Sequence, residues 1–446
     1  MNNYTALNNK LLDEISNFTS KLSKGLGKVD THFLCDVING IVSNNSIILS
    51  DIVRSTGMSN IKKGVERLER HLDSYDDIAH VVNENYIFLV KPLINPRKLY
   101  FVDGGDITKN DNTKFENMGY VLDGSNEHTL ARGYKIFEID TIDNSNQPLN
   151  LISDLSTSDK KLNDSNKELS ENNEWLKRIN LVSKLYGNGT FIMDRGFDGA
   201  ILMEKVIEMG SDFIIRARNL KRHVYVNGDK TTISNLARKH KGYYKFDTKI
   251  DGITTHLKVS AVNVTIKHQE TKNINKKLLT LVLVKGFGGT DAYMALITSR
   301  QVSGKENVLQ VLRDYMLRWK IEENFKFKKQ QYGLEKIKVR RYKRIQALND
   351  LLSMVMTFNN IINLTALGKT LRKEINQIRT NIHMWLYRLT DGIKKIITII
   401  SKEIMQKLYP KRHPRRRDLF TVMNVPFRMA WFWFFLTWIK KWGNTN

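Results

Sequence analysis

The chain has one cysteine in 446 residues, Cys35, which excludes an internal disulfide and a cysteine-rich zinc site. A reducing, cytoplasmic compartment fits. Long apolar runs are missing as well: the most apolar window, MAWFWFFLTWI at Met429 to Ile439, is about half of the ~20 residues a bilayer-spanning helix requires. It reads as a buried or partner-packed helix closed by Lys440 and Lys441. The opening residues, MNNYTALNNKLLDEI, lack the basic-then-apolar pattern of a secretory signal. GNGT and GFGGT lack the Lys-Ser/Thr ending of a phosphate-binding P-loop, and the ten histidines show no ligand spacing. No internal repeat is present, and DNSNQP and STSDKKLNDSN are short polar loops.

Acidic residues are also scarce, 46 Asp and Glu against 71 Lys and Arg, for a formal charge of +25. The imbalance is local. Residues 301–446 hold 30 Lys and Arg against 10 Asp and Glu, so this third of the chain carries +20. Such asymmetry predicts a polyanionic partner, most commonly nucleic acid, with an anionic membrane surface as the alternative. The 41% hydrophobic content and mean hydropathy of −0.39 describe a chain that can bury a large core, and the length suggests two to four domains.

Residues 1–95 read as helical. ILSDIVRSTGMSNIKKGVERLERHL contains two amphipathic segments hinged at Gly57, with Ser50 or Asp51 as candidate caps; a DNA-binding helix-turn-helix and a plain helical hairpin both fit. From Leu99 the texture changes. LYFVDGGDITK is an apolar run broken by glycines, GTFIMDRGFDG is another apolar strand ending in a turn, and YKIFEIDTID with QPLNLISDL reads as a hairpin around Asn144 to Asn146. Helices are expected in NKELSENNEWLKRINLVSKLYG and near Ala200 to Met209, so residues 96–219 form the first part of an α/β core with a mixed sheet. Residues 220–298 alternate as strands and read as an inserted β subdomain. The core resumes over 299–345, and 346–446 is helical, a candidate region for dimerisation and DNA contact with a basic break at YPKRHPRRRD.

YMLRWKIEENFKFKK, Tyr315 to Lys329, reads as one helix. At about 100° per residue Tyr315, Arg318, Glu322 and Lys329 share one stripe, flanked by Trp319 and Phe325, which would shield it from water. Three carboxylates stand out by position: Asp103 and Asp194 after apolar runs, and Glu322 in the stripe. Each alone has a plain reading, a turn-forming aspartate or a solvated Glu322–Lys326 pair. Converging at one sheet edge, they could hold two hard divalent ions, Mg²⁺ or Mn²⁺, which would activate water against a phosphodiester and stabilise the leaving oxygen.

Tyr315-x2-Arg318-x3-Glu322-x6-Lys329 resembles the Tyr-Arg-Glu-Lys signature of bacterial DDE transposases of insertion-sequence family four. VDGGDITK and MDRGFDGA are similar to that family's two aspartate segments, and the resemblance spans roughly 99 to 345. It implies a ribonuclease-H-like mixed-sheet core with a β insertion, flanked by N- and C-terminal helical regions. It further implies metal-dependent cleavage at transposon ends and joining of the 3′-hydroxyl to target DNA by a cut-and-paste route. The partners would be transposon-end and target DNA and a second copy of the chain, with no membrane, in a bacterial, nucleoid-associated setting. Asp103, Asp194 and Glu322 would bind the metals, while Tyr315, Arg318 and Lys329 would grip phosphates. Alignment to the family favours Asp103 over Asp106, and this chain has Gly104 and Gly105 where the family commonly has Thr or Ser. Asp198 is expected to cap the following helix. Arg195, Arg216 and Arg218, with the KVRRYKR cluster (Lys338, Arg340, Arg341), are further candidates for DNA contact; Phe287 and Tyr293 are candidates for stacking on a flipped base. A catalytically inactive, DNA-binding inhibitor of transposition and a structure-directed nuclease are the rival readings.

Overall fold

In the computed structural model, residues 3–109, 114–123, 129–157, 171–240, 242–250, 253–287, 289–375 and 385–408 are described. The C-terminal aromatic window, its closing lysines and the YPKRHPRRRD break lie outside them. Five helices come first: α1 (Asn3–Leu22), α2 (Lys28–Asn44), α3 (Leu49–Arg54), α4 (Ile61–Asp73) and α5 (Tyr75–Val90). Strands β1 (Leu99–Thr108), β2 (Gly119–Asp123), β3 (Thr129–Ile142) and β4 (Pro148–Ser156) follow. Next are α6 (Glu171–Tyr186), β5 (Thr190–Met193), α7 (Ala200–Glu208), β6 (Asp212–Arg216), β7 (His223–Val226), β8 (Asp229–Thr232) and α8 (Ile233–Lys239). The chain continues through β9 (Tyr244–Ile250), β10 (Ile253–Val264), β11 (Leu279–Gly286) and β12 (Gly289–Thr298) to α9 (Gly304–Met316), α10 (Trp319–Gln331), α11 (Tyr342–Leu364), α12 (Ala366–Ile375) and α13 (Trp385–Leu408). Two compact units result: Met1–Val90, Asp106–Tyr134 and Phe325–Asn446 form the first, Lys91–Gly105 and Lys135–Asn324 the second.

The second unit is built on strands whose sequences are apolar on both faces. Leu99, Tyr100, Phe101 and Val102 of β1, Phe191 to Met193 of β5 and Phe213 to Ile215 of β6 are fully buried, as inner parallel strands require. β1 pairs parallel with β5, and β5 with β6. β3 lies on the other side of β1, and β4 pairs antiparallel with β3. The order β4-β3-β1-β5-β6, two parallel crossovers after an antiparallel hairpin, is that of a ribonuclease-H-like core. The strands of the 220–298 block extend this sheet: β12 pairs antiparallel with β6, and β11, β10 and β9 continue outward. Only β7 and β8 form a separate two-stranded ribbon, followed by α8.

In the first unit α2, α3 and α4 pack closely through small residues. The backbone at Gly57 between α3 and α4 has φ of +72°, a left-handed turn. Neither Ser50 nor Asp51 caps α3. The helix begins at Leu49, two residues earlier than a Ser50 cap needs and three earlier than an Asp51 cap needs, with Ile48 at the N-cap, and the Asp51 carboxylate is taken by Ser46 at 2.7 Å and by Arg54. Asn60 caps α4, its side chain accepting from the Lys63 N–H. Among the described residues no single helix is long and apolar enough to cross a membrane.

The expected single helix from Tyr315 to Lys329 is instead two, α9 and α10, broken at Leu317 and Arg318. At the break the backbone tightens: the N–H groups of Arg318, Lys320 and Ile321 donate to the carbonyls of Tyr315, Leu317 and Arg318, three residues back. Arg318, at the turn, sends its guanidinium to β1, an ion pair that a uniform helix face does not offer. The change of phase also exposes Trp319, so it does not shield the stripe; Phe325 is buried.

Candidate active site at the carboxyl edge of the sheet

The register of the two central strands places the aspartates. Val102 of β1 lies beside Met193 of β5, so Asp103 and Asp194 are the next residues on neighbouring parallel strands, spaced about 5 Å apart. They stand at the carboxyl end of the β1–β5 pairing, Asp194 just past β5 and Asp103 midway along β1, which runs on to Thr108. After Asp194 the chain enters a short 3₁₀ turn, and the Asp194 side chain accepts the Gly196 N–H at 2.7 Å. A Cβ at Gly196 would come within 2.9 Å of that carboxylate oxygen, so a larger residue there would push the Asp194 side chain aside. Trp175 of α6 pins the surroundings: its ring meets Phe197 edge-on at 5.0 Å and Phe137 of β3 at 4.5 Å.

Arg318 is the hub. Its guanidinium bonds Asp103 at 2.8 Å and also pairs with Glu322, one turn along. Glu322 therefore pairs with Arg318, and the plain Glu322–Lys326 reading is replaced. Burial raises the Asp103 carboxyl to about 7; Arg318 pulls it down, Asp194 and Glu322 push it up, and the Gly104 N–H at 2.9 Å pulls it down. For Arg318 burial works against the charge but is outweighed by Asp103, Tyr315 and Glu322, which hold it above its ordinary value. Tyr315 is buried, which raises its hydroxyl, within reach of the fields of Arg318, Arg216 and Asp194. Asp103, Asp194, Glu322, Arg318, Tyr315 and Arg216 thus form one electrostatic cluster.

The donor chemistry suits a hard divalent cation: three carboxylates, one of them kept partly neutral by burial and by the other two. Among the described residues, however, no three His, Cys, Asp or Glu side chains are set around one metal position. The Arg318 guanidinium lies across two of the carboxylates and supplies the positive charge their proximity demands.

Lys329, in the first unit, is held by Asp106 and Glu335, each at 3.0 Å. Asp106 thus serves as the partner of Lys329. Arg195 is exposed beside Asp194. Lys338 and Arg340 are exposed while Ile337 and Val339 are buried, so this extended segment turns alternate cations outward. Arg341 is also exposed but pairs with Asp73 at 2.8 Å. Phe287 and Tyr293 are half-buried, with Lys285 5.5 Å from the Tyr293 ring centroid.

Asp198 does not cap α7, whose N-cap is Gly199. Its carboxylate, 4% exposed, accepts from the Arg218 backbone N–H at 2.8 Å and pairs with Arg222. These donors satisfy a buried charge better than a helix end with room for water. The same bonds join the Asp194 loop to the start of a basic lobe. Residues 216–249 contain ten Lys and Arg against two Asp, and Arg218, Lys221, Lys230, Arg238, Lys239 and Lys245 are exposed. Sequence reading missed this lobe because the charge of the C-terminal third dominates the total.

Residues 151–358 match the family described as "Transposase DDE domain", just under half of the chain and including Asp194 and Glu322. Over that segment the chain is similar to transposase DDE domains. Among solved structures it is similar to a piggyBac transposase, seen by cryo-electron microscopy in a synaptic complex with hairpin DNA. The two are 11% identical, with 93% of this chain and 82% of that chain covered and a TM-score of 0.44. No curated protein matches the chain.

Proposed function

We propose that the protein is a DNA transposase of the insertion-sequence family-four type, which cuts the ends of its element and joins the freed 3′-hydroxyls to target DNA. The observation that carries this is Asp103 lying within the fields of Asp194 and Glu322, with Arg318 paired to Asp103 and Glu322, at the carboxyl end of the β1–β5 pairing in a ribonuclease-H-like sheet. Asp103, Asp194 and Glu322 would hold two Mg²⁺ or Mn²⁺ ions, which supply activation of water and charge stabilisation at the scissile phosphate. The protein's own groups do the rest. Asp103 would serve as a ligand in its ionised form. Arg318 leaves the carboxylates and turns its planar fork to a phosphate, for which its geometry is equally suited. Tyr315 and Lys329 each grip a phosphate. Lys338, Arg340 and Arg341 in the first unit, and Arg195, Arg216 and the basic lobe in the second, supply further phosphate contacts, which set position rather than sequence.

In this reading residues 1–95 bind DNA, and residues 346–446 contact DNA and join two copies in a homodimer that pairs two element ends, at work in the cytoplasm on nucleoid DNA. Cleavage of DNA carrying the element's native flanks tests it. Cutting should require Mg²⁺ or Mn²⁺, should depend on the terminal inverted repeats, and should disappear in Glu322→Gln. Cutting indifferent to the repeats would make the protein a structure-directed nuclease. End binding without any cutting would make it an inhibitor.

A further inference from the structure

α10 carries Glu322, and two residues later Asn324 is 2% exposed. Its Nδ2 donates to the Oδ2 of Asp140 at 2.6 Å, in the middle of β3. Asp140 is fully buried, and its Oδ1 accepts from Asn150 of β4 at 2.8 Å. The strand register explains how a carboxylate comes to face this way. Ile139 pairs with Ile152 and Asp140 with Asn150, so Leu151 is an extra residue, a bulge on β4. Bulges beside sites re-aim side chains. A buried carboxylate needs charge-assisted donors to be tolerated, and here they come from two amides, one of them on the helix of the glutamate. β3 also borders β1, the strand of Asp103.

Resting on the transposase reading, we infer that the Asp140–Asn324 pair is a positioning brace that holds Glu322 at the distance from Asp103 that metal binding needs. Arg318 supplies the first tie between α10 and the sheet, and in the working state Arg318 goes to phosphate. The Asp140–Asn324 bond then keeps α10 seated on β3. Neither residue touches DNA or metal.

The test uses full-length protein in three measurements: Mn²⁺ binding by electron paramagnetic resonance without DNA, the Mg²⁺ concentration for half-maximal end cleavage, and end-DNA affinity in EDTA. Asp140→Asn and Asn324→Asp should each weaken Mn²⁺ binding about tenfold or more, the range seen when residues behind a metal ligand are changed, and raise the Mg²⁺ requirement in step. DNA affinity in EDTA should stay unchanged. The double variant Asp140→Asn/Asn324→Asp re-forms the pair with donor and acceptor exchanged, because the amide at 140 donates to the carboxylate at 324 while its oxygen still accepts from Asn150. It should recover most of the lost affinity, a coupling that independent damage would not produce. Where a single variant does not fold, Asn324→Ala replaces it, since Asp140 keeps Asn150. Wild-type Mn²⁺ affinity in the folded single variants, or a double variant no better than the singles, overturns the brace. Glu322→Gln is the control: if it leaves metal binding and cleavage intact, the site reading itself falls, whereas loss in Glu322→Gln with normal Asn324 variants removes the brace alone.

Discussion

Asp103→Asn should stabilise the metal-free protein at pH 8 while abolishing its response to magnesium. The Asp103 carboxyl titrates near 7 in the folded chain, raised chiefly by burial, and an unfolded aspartate titrates near 4. Between these values the folded chain keeps a proton that the unfolded chain has released, so stability falls as pH rises from about 4 to 7. Below that window the group contributes no difference, and above it the penalty is complete. Three pH units correspond to about 4 kcal/mol at most, and water reaching the side chain, 18% exposed, reduces this to about 1–3 kcal/mol. Asparagine, neutral at every pH, escapes the penalty. In EDTA the variant should therefore melt above wild type at pH 8 and level with it at pH 4. Magnesium at a hundredfold excess over its dissociation constant should restore about 2.7 kcal/mol to wild type only. A variant that melts at or below wild type at pH 8 in EDTA would refute the reasoning, because burial would then not be opposing the Asp103 charge.

Arg318→Ala removes the cation between Asp103 and Glu322; it should lower the melting temperature in EDTA, more at pH 8 than at pH 5, and magnesium should narrow the gap. Asp73 is held at about 2, first by its hydrogen bonds from Arg344. Its stabilisation is present above about pH 4 and lost as pH falls toward 2, so acid unfolding followed by circular dichroism should show a shallower slope below pH 4 in Asp73→Asn. Gly64→Ala would place a Cβ 2.4 Å from Val53 Cγ1, where α4 crosses α3; the overpacking should cost about 1–3 kcal/mol in chemical denaturation.

The parts of the site that depend on local pattern could be read from sequence. An apolar run followed by aspartate reads as a strand end, which holds for Asp194 after β5 but not for Asp103, since β1 runs on through both glycines to Thr108; the two still come together because β1 and β5 are neighbours. The hairpin of β3 and β4 and the helices α6 and α7 followed from periodicity and turn residues in the same way. What escaped depends on partners far along the chain. Arg318 reaches Asp103, 215 residues away, and that bond accompanies the break of a segment whose own pattern favours one helix. Asn324 meets Asp140 across 184 residues through a bulge that shows no sequence mark. Asp198 sits where a helix cap belongs, and only the fold reveals that Arg222 claims it. Lys329 looked like one more cation in a stripe, and its ties to Asp106 and Glu335 emerge with the folded first unit.

Crystals of the protein bound to its end DNA and soaked in Mn²⁺ put the whole scheme to trial. Anomalous density between Asp103, Asp194 and Glu322, with Arg318 withdrawn onto a phosphate, is the expected result. Manganese bound elsewhere, or none at all with Arg318 still spanning Asp103 and Glu322, would contradict it.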